Sequence, residues 1–338
     1  MLLIDALYIN VGGGKVLLNY LISELEKTDY PVHYLLDERI REQHPKVKKS
    51  NQVLCLVAGI KSRKQFYKLN KNAFSKVLCF GNIPPPIKGA FTAYTYFHNL
   101  ILLDIPKEFS FFSRIKFQLK IAVIKSLRRN TDYWWVQTEN VQKILALKYK
   151  ESVNRIQLKP FYPPFVKQSL DQINREPASF LYVSNATPNK NHQRLLEAFC
   201  KFYDHNKKGT LILTVNNHYP VIKKIIQQKL DLGYPIKNVG FVDRNELVQL
   251  YKKAEYLIYP SVNESFGLGL VEAIECGCKV IGADLPYTHA VCVPSFVFDP
   301  FEVTSIEGAF ARATSEEFSK GISLVSNHIE EVVAELTK

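Results

Sequence analysis

Short apolar runs alternate with longer amphipathic stretches along the whole chain. Residues 2–9 read as a strand, Gly12-Gly13-Gly14 as a turn, and the following residues to about Glu26 as a helix. Further apolar runs at 32–36, 53–57, 76–80, 91–97 and 133–137 alternate with helical segments. Tyr162-Pro163-Pro164-Phe165 begins a break in the pattern, and residues 166–178 read as a linker. A second series starts at 180–183 and continues at 210–215, 236–241, 256–259, 280–282 and 297–298. Such alternation predicts an α/β chain with two Rossmann-like, doubly wound domains, 1–165 and 179–320. Residues 305–338 read as two amphipathic helical stretches, the last of them over 321–338.

Composition narrows the class. With 338 residues, 46% of them apolar and 22% charged, the chain is globular and long enough for two cores. The longest uncharged apolar window, 89–103, contains His98 and Asn99 and is too short to span a bilayer. MLLIDALYINVGGG lacks a basic leader and meets Asp5 early, so it reads as a first strand and not a signal peptide. The six cysteines sit mostly in apolar contexts, which suits buried thiols in a reducing compartment. Residues 1–165 hold 26 Lys and Arg against 12 Asp and Glu; residues 166–338 hold 18 against 20. A strongly basic first half implies an anionic surface as partner.

Residues 256–290 hold two carboxylates, Glu264 and Glu272, eight positions apart. Leu257, Ile258 and Tyr259 suit a buried strand, Pro260, Ser261 and Asn263 a turn, and Leu268, Leu270, Val271 and Ile274 a helix. That places Glu264 near a helix N-terminus and Glu272 about two turns in. Free backbone N–H groups and the helix dipole there suit a phosphorylated ligand.

Pro260, Glu264, Phe266-Gly267-Leu268, Glu272-Ala273 and Gly277-Cys278-Lys279-Val280-Ile281 together resemble the E-x7-E motif of retaining GT-B glycosyltransferases. More narrowly they are similar to family 4, glycosyl transferases group 1, which includes many lipopolysaccharide, O-antigen and capsule enzymes. The resemblance covers about 179–300 well, and the N-terminal half only in short patches. It implies a GT-B fold with two domains facing a cleft and a C-terminal helix, 321–338, crossing back to the first domain. In the roles it implies, Glu272 accepts both ribose hydroxyls and Glu264 sits beside the transferred sugar. The backbone of Phe266, Gly267 and Leu268 meets sugar or phosphate oxygens, and Phe241 and Val242 line the base.

The segment from Ser184 and Asn185 to Lys190 and His192 resembles the family's phosphate-binding loop, with Lys190 as the cation that neutralises the leaving diphosphate. An arginine often stands six residues before that lysine; here it is Ser184. Gly12, Gly13 and Gly14 fit neither a P-loop nor G-x-G-x-x-G, but bare glycines let a backbone approach a ligand closely, or simply make a tight turn. His98, at the end of an apolar strand, is a candidate for a sugar-hydroxyl contact as several family members have, or a structural histidine. Where related sequences have an acidic residue after 284–287, this chain has Ala290.

No two aspartates stand at i and i+2, so a D-x-D metal site is absent; no metal and no cofactor are expected beyond the nucleotide-sugar donor. Segments 61–76 and 107–130 interleave cations with aromatic and aliphatic residues, which suggests an anionic membrane surface and a cytoplasmic, peripheral location. No nucleic-acid motif is present. The expected activity is retaining transfer of a sugar from a UDP or GDP donor to a lipid-linked or lipopolysaccharide saccharide. Two alternatives stand beside it: a nucleotide-sugar epimerase on the same fold, and a non-catalytic membrane-associated relative.

Overall fold

The structure is a computed structural model and describes residues 1–165 and 174–338. Two compact units divide it. The first comprises Met1–Ile105, Ser110–Pro163 and Ser326–Lys338; the second comprises Pro106–Phe109 and Pro164–Val325.

In the first unit the elements run β1 (Leu2–Ala6), α1 (Gly12–Leu25), β2 (Val32–Asp37), β3 (Gln52–Leu56), α2 (Ile60–Asn70), β4 (Lys76–Cys79), β5 (Thr92–Phe97), α3 (Phe111–Leu127), β6 (Tyr133–Val136), α4 (Glu139–Tyr149) and β7 (Ile156–Leu158). All strands are parallel, in the order β3-β2-β1-β4-β5-β6-β7. Every residue of β1 is buried, as a parallel strand covered on both faces requires. That burial includes Asp5, which receives Arg63 Nε at 2.8 Å and the Tyr67 hydroxyl at 2.7 Å. The rest of the Arg63 guanidinium donates to the carbonyls of Ile83 and Pro84, both at 2.9 Å. A buried charge is tolerated only with such complete pairing.

The second unit runs β8 (Glu176–Tyr182), α5 (His192–Asn206), β9 (Thr210–Leu213), α6 (Pro220–Asp231), β10 (Ile236–Asn238), α7 (Arg244–Lys253), β11 (Ala254–Tyr259), α8 (Leu268–Glu275), β12 (Lys279–Ala283), α9 (Pro286–Val291), β13 (Cys292–Val293), β14 (Phe296–Phe298), α10 (Val303–Ser315) and β15 (Ile322–Ser323). Its parallel sheet has the order β10-β9-β8-β11-β12-β14. The strand order therefore reverses its winding between β8 and β11, and the crevice beyond their carboxyl ends is the topological switch point where such sheets bind ligands.

Strand β8 begins at Glu176, inside the stretch expected to be linker; residues 166–173 lie outside the described residues. The final stretch also differs from a single helix over 321–338. Ile322 and Ser323 pair antiparallel with Val293 and Cys292 in the second unit. The last helix, α11 (Ile329–Thr337), belongs to the first unit and packs on α1. Its anchors are Lys76 Nζ on the Glu335 carbonyl at 2.7 Å and Lys159 Nζ on the Glu335 carboxylate at 3.1 Å. All six cysteines are buried and free. Among the described residues no helix is long and apolar enough to cross a membrane.

Candidate active site

Two loops meet beyond β8 and β11. The first, 183–191, ends in Lys190 and Asn191; the second, 260–267, carries Glu264. They are stitched by short-range donors and acceptors. Asn189 Nδ2 donates to the Asn263 carbonyl at 3.0 Å, and the Val262 N–H donates to the Asn189 carbonyl at 2.8 Å. Asn191, with φ of 59°, sends Nδ2 to the carbonyls of Pro260 at 3.1 Å and Pro300 at 2.7 Å. Beneath them the Tyr182 hydroxyl donates to the Lys190 carbonyl at 2.8 Å, and the Tyr287 hydroxyl to the Ser261 carbonyl at 2.7 Å.

This bracing brings Lys190 and Glu264, 74 positions apart, into a direct ion pair with both side chains mostly buried. The Tyr259 hydroxyl donates to the same Glu264 oxygen at 3.1 Å. His192 follows in the first turn of α5, buried, ring to ring with Tyr182 at 4.9 Å, and neither nitrogen has a partner among the described residues. Burial and the neighbouring Lys190 push its pKa down to about 3, so it is neutral.

Helix α8 begins where Gly267 takes φ of 72°, with no side chain capping the first turn. A Cβ at that position would lie 3.0 Å from Leu270 Cδ1, in a conformation that L residues rarely adopt. Glu272 stands in the second turn, 4% exposed. One of its oxygens receives Arg244 Nη1 at 3.0 Å, the other the Tyr251 hydroxyl at 3.2 Å. Burial nevertheless pushes Glu272 up to about 7, against the lowering effect of Arg244. Phe241 and Val242 follow β10; Gly240 has φ of 73° and the Phe241 ring is 82% exposed. Ser184 supplies no cation: its N–H donates to Thr214 Oγ1 at 3.1 Å and its hydroxyl to the Asn185 carbonyl at 2.8 Å.

In the first unit Gly12, Gly13 and Gly14 open α1, with Gly12 at φ of 66°. Gly14 faces His98: a Cβ there would come 3.0 Å from His98 Cε1. The His98 N–H donates to Asn82 Oδ1 at 2.7 Å, and Nε2 donates to the Phe80 carbonyl at 2.9 Å. Burial lowers its pKa, so the ring is neutral at pH 7.

Three partners are additions to the residues read from sequence: Arg244, Tyr251 and Tyr259. Tyr259 was within reach of sequence reasoning, since it ends the strand five residues before Glu264. Arg244 and Tyr251 meet Glu272 only through the packing of α7 and α8 beside β11.

Residues 167–326 match the family model of glycosyl transferases group 1. This part of the chain, a little under half of it, is similar to the glycosyl transferases of group 1. The O-antigen chain mannosyltransferase RfbU of Salmonella typhimurium is 26% identical over 196 residues, 56% of this chain and 52% of that protein. O-antigen chain mannosyltransferase B of Escherichia coli is 27% identical over 141 residues, 40% of this chain and 37% of that protein. The chain thus spans about half, or less, of the curated relatives it matches. Solved structures similar to it across both units include WaaG, a glycosyltransferase involved in lipopolysaccharide biosynthesis (16% identity, TM-score 0.66, 99% of this chain and 93% of that one). HepE of Anabaena in complex with UDP-glucose is another (13% identity, TM-score 0.65, 100% and 95%). The fold is GT-B, and Lys190, Glu264 and Glu272 all lie in the part that matches the family model.

Proposed function

We propose that this protein is a retaining glycosyltransferase. It moves a hexosyl group from a UDP or GDP sugar to a lipid-linked or lipopolysaccharide saccharide. The observation that carries this reading is the Lys190–Glu264 pair at the switch point, beside a glycine-started helix. Lys190 is the cation for the departing diphosphate, joined by the first-turn amides of α8. Glu264, steadied by Tyr259, accepts hydroxyls of the transferred sugar, and Glu272 those of the ribose. The anomeric C–O bond to the β-phosphate breaks as the acceptor oxygen bonds on the same face. The acceptor proton passes to a departing phosphate oxygen. Charge is neutralised by protein groups, so no metal is required in this reading. The mannosyltransferase relatives support a mannosyl donor as the first to test.

Calorimetric titration with UDP, GDP and ADP, with and without EDTA and beside Glu272→Ala, tests the reading. One nucleotide should bind at micromolar strength, unaffected by EDTA and weakened in the variant. Product formation should then follow with that nucleotide's sugar. Absence of binding by all three would point to the non-catalytic relative instead.

The first unit supplies the second partner in this proposal, an anionic membrane surface. Helix α3 exposes Phe111, Phe112, Ile115 and Leu119 beside Lys116 and Lys120. That supports a peripheral location at the cytoplasmic membrane face.

A further inference from the structure

Glu272 and Arg244 are 28 positions apart, on different helices. Arg244 is the first residue of α7, placed there by a capping box in which Asp243 accepts from the Glu246 N–H and the Glu246 carboxylate accepts from the Asp243 N–H. Its guanidinium lies over the Phe165 ring, 4.2 Å from the centroid, while Nη1 reaches Glu272 Oε1. A stacked, planar fork is held more firmly than a lysine ammonium could be. Tyr251, two turns further along α7, holds the other oxygen. Among the described residues each carboxylate oxygen therefore has one side-chain donor. A carboxylate offers about four acceptor sites, so one remains on each oxygen for a pair of vicinal hydroxyls.

We infer that Arg244 is a positioning residue that orients the Glu272 carboxylate for the ribose hydroxyls of the donor nucleotide and favours its anionic form. This rests on the reading of Glu272 as the ribose acceptor. The charged and titratable groups around Glu272 make its protonation a close balance. Burial and the neighbouring Glu275 favour the neutral acid, while Arg244 and the Tyr251 hydroxyl favour the anion. Cys276 and Cys278, nearby, are thiols that burial keeps protonated. Arg244 is the cation that opposes burial and favours the anion. With Arg244 in place the carboxyl already titrates at about 7, and without it proton uptake moves to higher pH still. A protonated oxygen then donates where it should accept, and the charge-assisted bonds weaken.

The test is the affinity of the wild-type nucleotide, UDP or GDP, measured across about pH 5.5 to 8.5, a range bracketing a raised carboxyl. Arg244→Met should move the acid-side loss of affinity upward by about one pH unit, so binding falls about fivefold at pH 7 and approaches about tenfold below it. The loss should recover at the alkaline end, and Arg244→Lys should restore part of it. Glu272→Gln should bind weakly with a flat pH profile, and adding Arg244→Met to it should cost nothing further. A pH-independent loss in Arg244→Met, or an undiminished loss in the Glu272→Gln background, would overturn the inference, since Arg244 would then act on the nucleotide or the fold directly. Tighter binding by Arg244→Met would also overturn it, by making Arg244 a competitor for the site. If Glu272→Gln binds as well as wild type, the ribose reading of Glu272 itself fails. Circular dichroism of each variant separates these results from misfolding.

Discussion

Glu264 and Glu272 come from one short segment, yet the fold gives them different surroundings. Glu264 lies against a lysine ammonium and a tyrosine hydroxyl at the mouth of the switch point. Glu272 is buried behind it under an arginine and a second tyrosine. In the proposed reaction the first arrangement puts a cation where the departing phosphate builds charge, and charge developing in the transition state is where a fixed cation is worth most. Lys190→Ala should therefore lower kcat by roughly 100- to 1,000-fold, the range for losing one fixed electrostatic partner. Steady-state kinetics with the donor identified by calorimetry check this. Unchanged kcat with a raised KM would assign Lys190 to ground-state binding alone. Because Glu264 loses its partner in the same variant, Lys190→Gln is the fairer second variant; it keeps a donor in place and removes only charge.

At the scale of elements, the start of α8 depends on a single backbone conformation. Gly267 has φ of 72°, and an added Cβ would press on Leu270. Gly267→Ala should cost roughly 1–2 kcal/mol for the left-handed conformation alone, and should weaken nucleotide binding because the first-turn amides shift. Thermal unfolding and the nucleotide titration together measure it; a stable variant with normal affinity would show that the turn adapts and that these amides are not used. The strand–turn–helix order here, and the alternation that gives two parallel sheets, were legible in the sequence because buried parallel strands are nearly continuous apolar runs. Lys190, Glu264 and Glu272 were legible through the residues around them. Arg244 was not, since nothing in 240–247 marks which side chain will reach a helix two elements later. The small β13–β15 pair was missed because two-residue strands carry no periodicity. The buried Asp5–Arg63 pair was missed too, because a charged residue inside an apolar strand names no partner.

At the scale of the whole molecule, the charge is lopsided: residues 1–165 carry 26 Lys and Arg against 12 Asp and Glu, while the remainder is nearly neutral. Part of that charge lies on α3, a helix with two distinct apolar faces. Phe117, Ile121 and Ile124 turn inward onto the core of the first unit. Ile124 thus belongs to the core, although it lies inside the segment whose apolar and basic residues suggest a membrane surface. Phe111, Phe112 and Leu119 stand 72%, 76% and 65% exposed, flanked by exposed Lys116, Lys120 and Lys125. Apolar side chains in water beside cations suit shallow insertion among anionic headgroups, with each cation near the surface contributing about 1 kcal/mol. In flotation assays the protein should bind vesicles rich in phosphatidylglycerol and ignore purely zwitterionic ones. Binding should fall steeply as salt shortens the screening length. Replacing Phe111 and Phe112 together by Ser should weaken binding about tenfold or more, since even partial burial of each ring is worth more than about 1 kcal/mol. Both rings make few core contacts, so the melting temperature should stay unchanged. Equal binding to neutral vesicles, or full binding by the double variant, would remove α3 as a membrane face and leave the basic charge to an acidic saccharide acceptor.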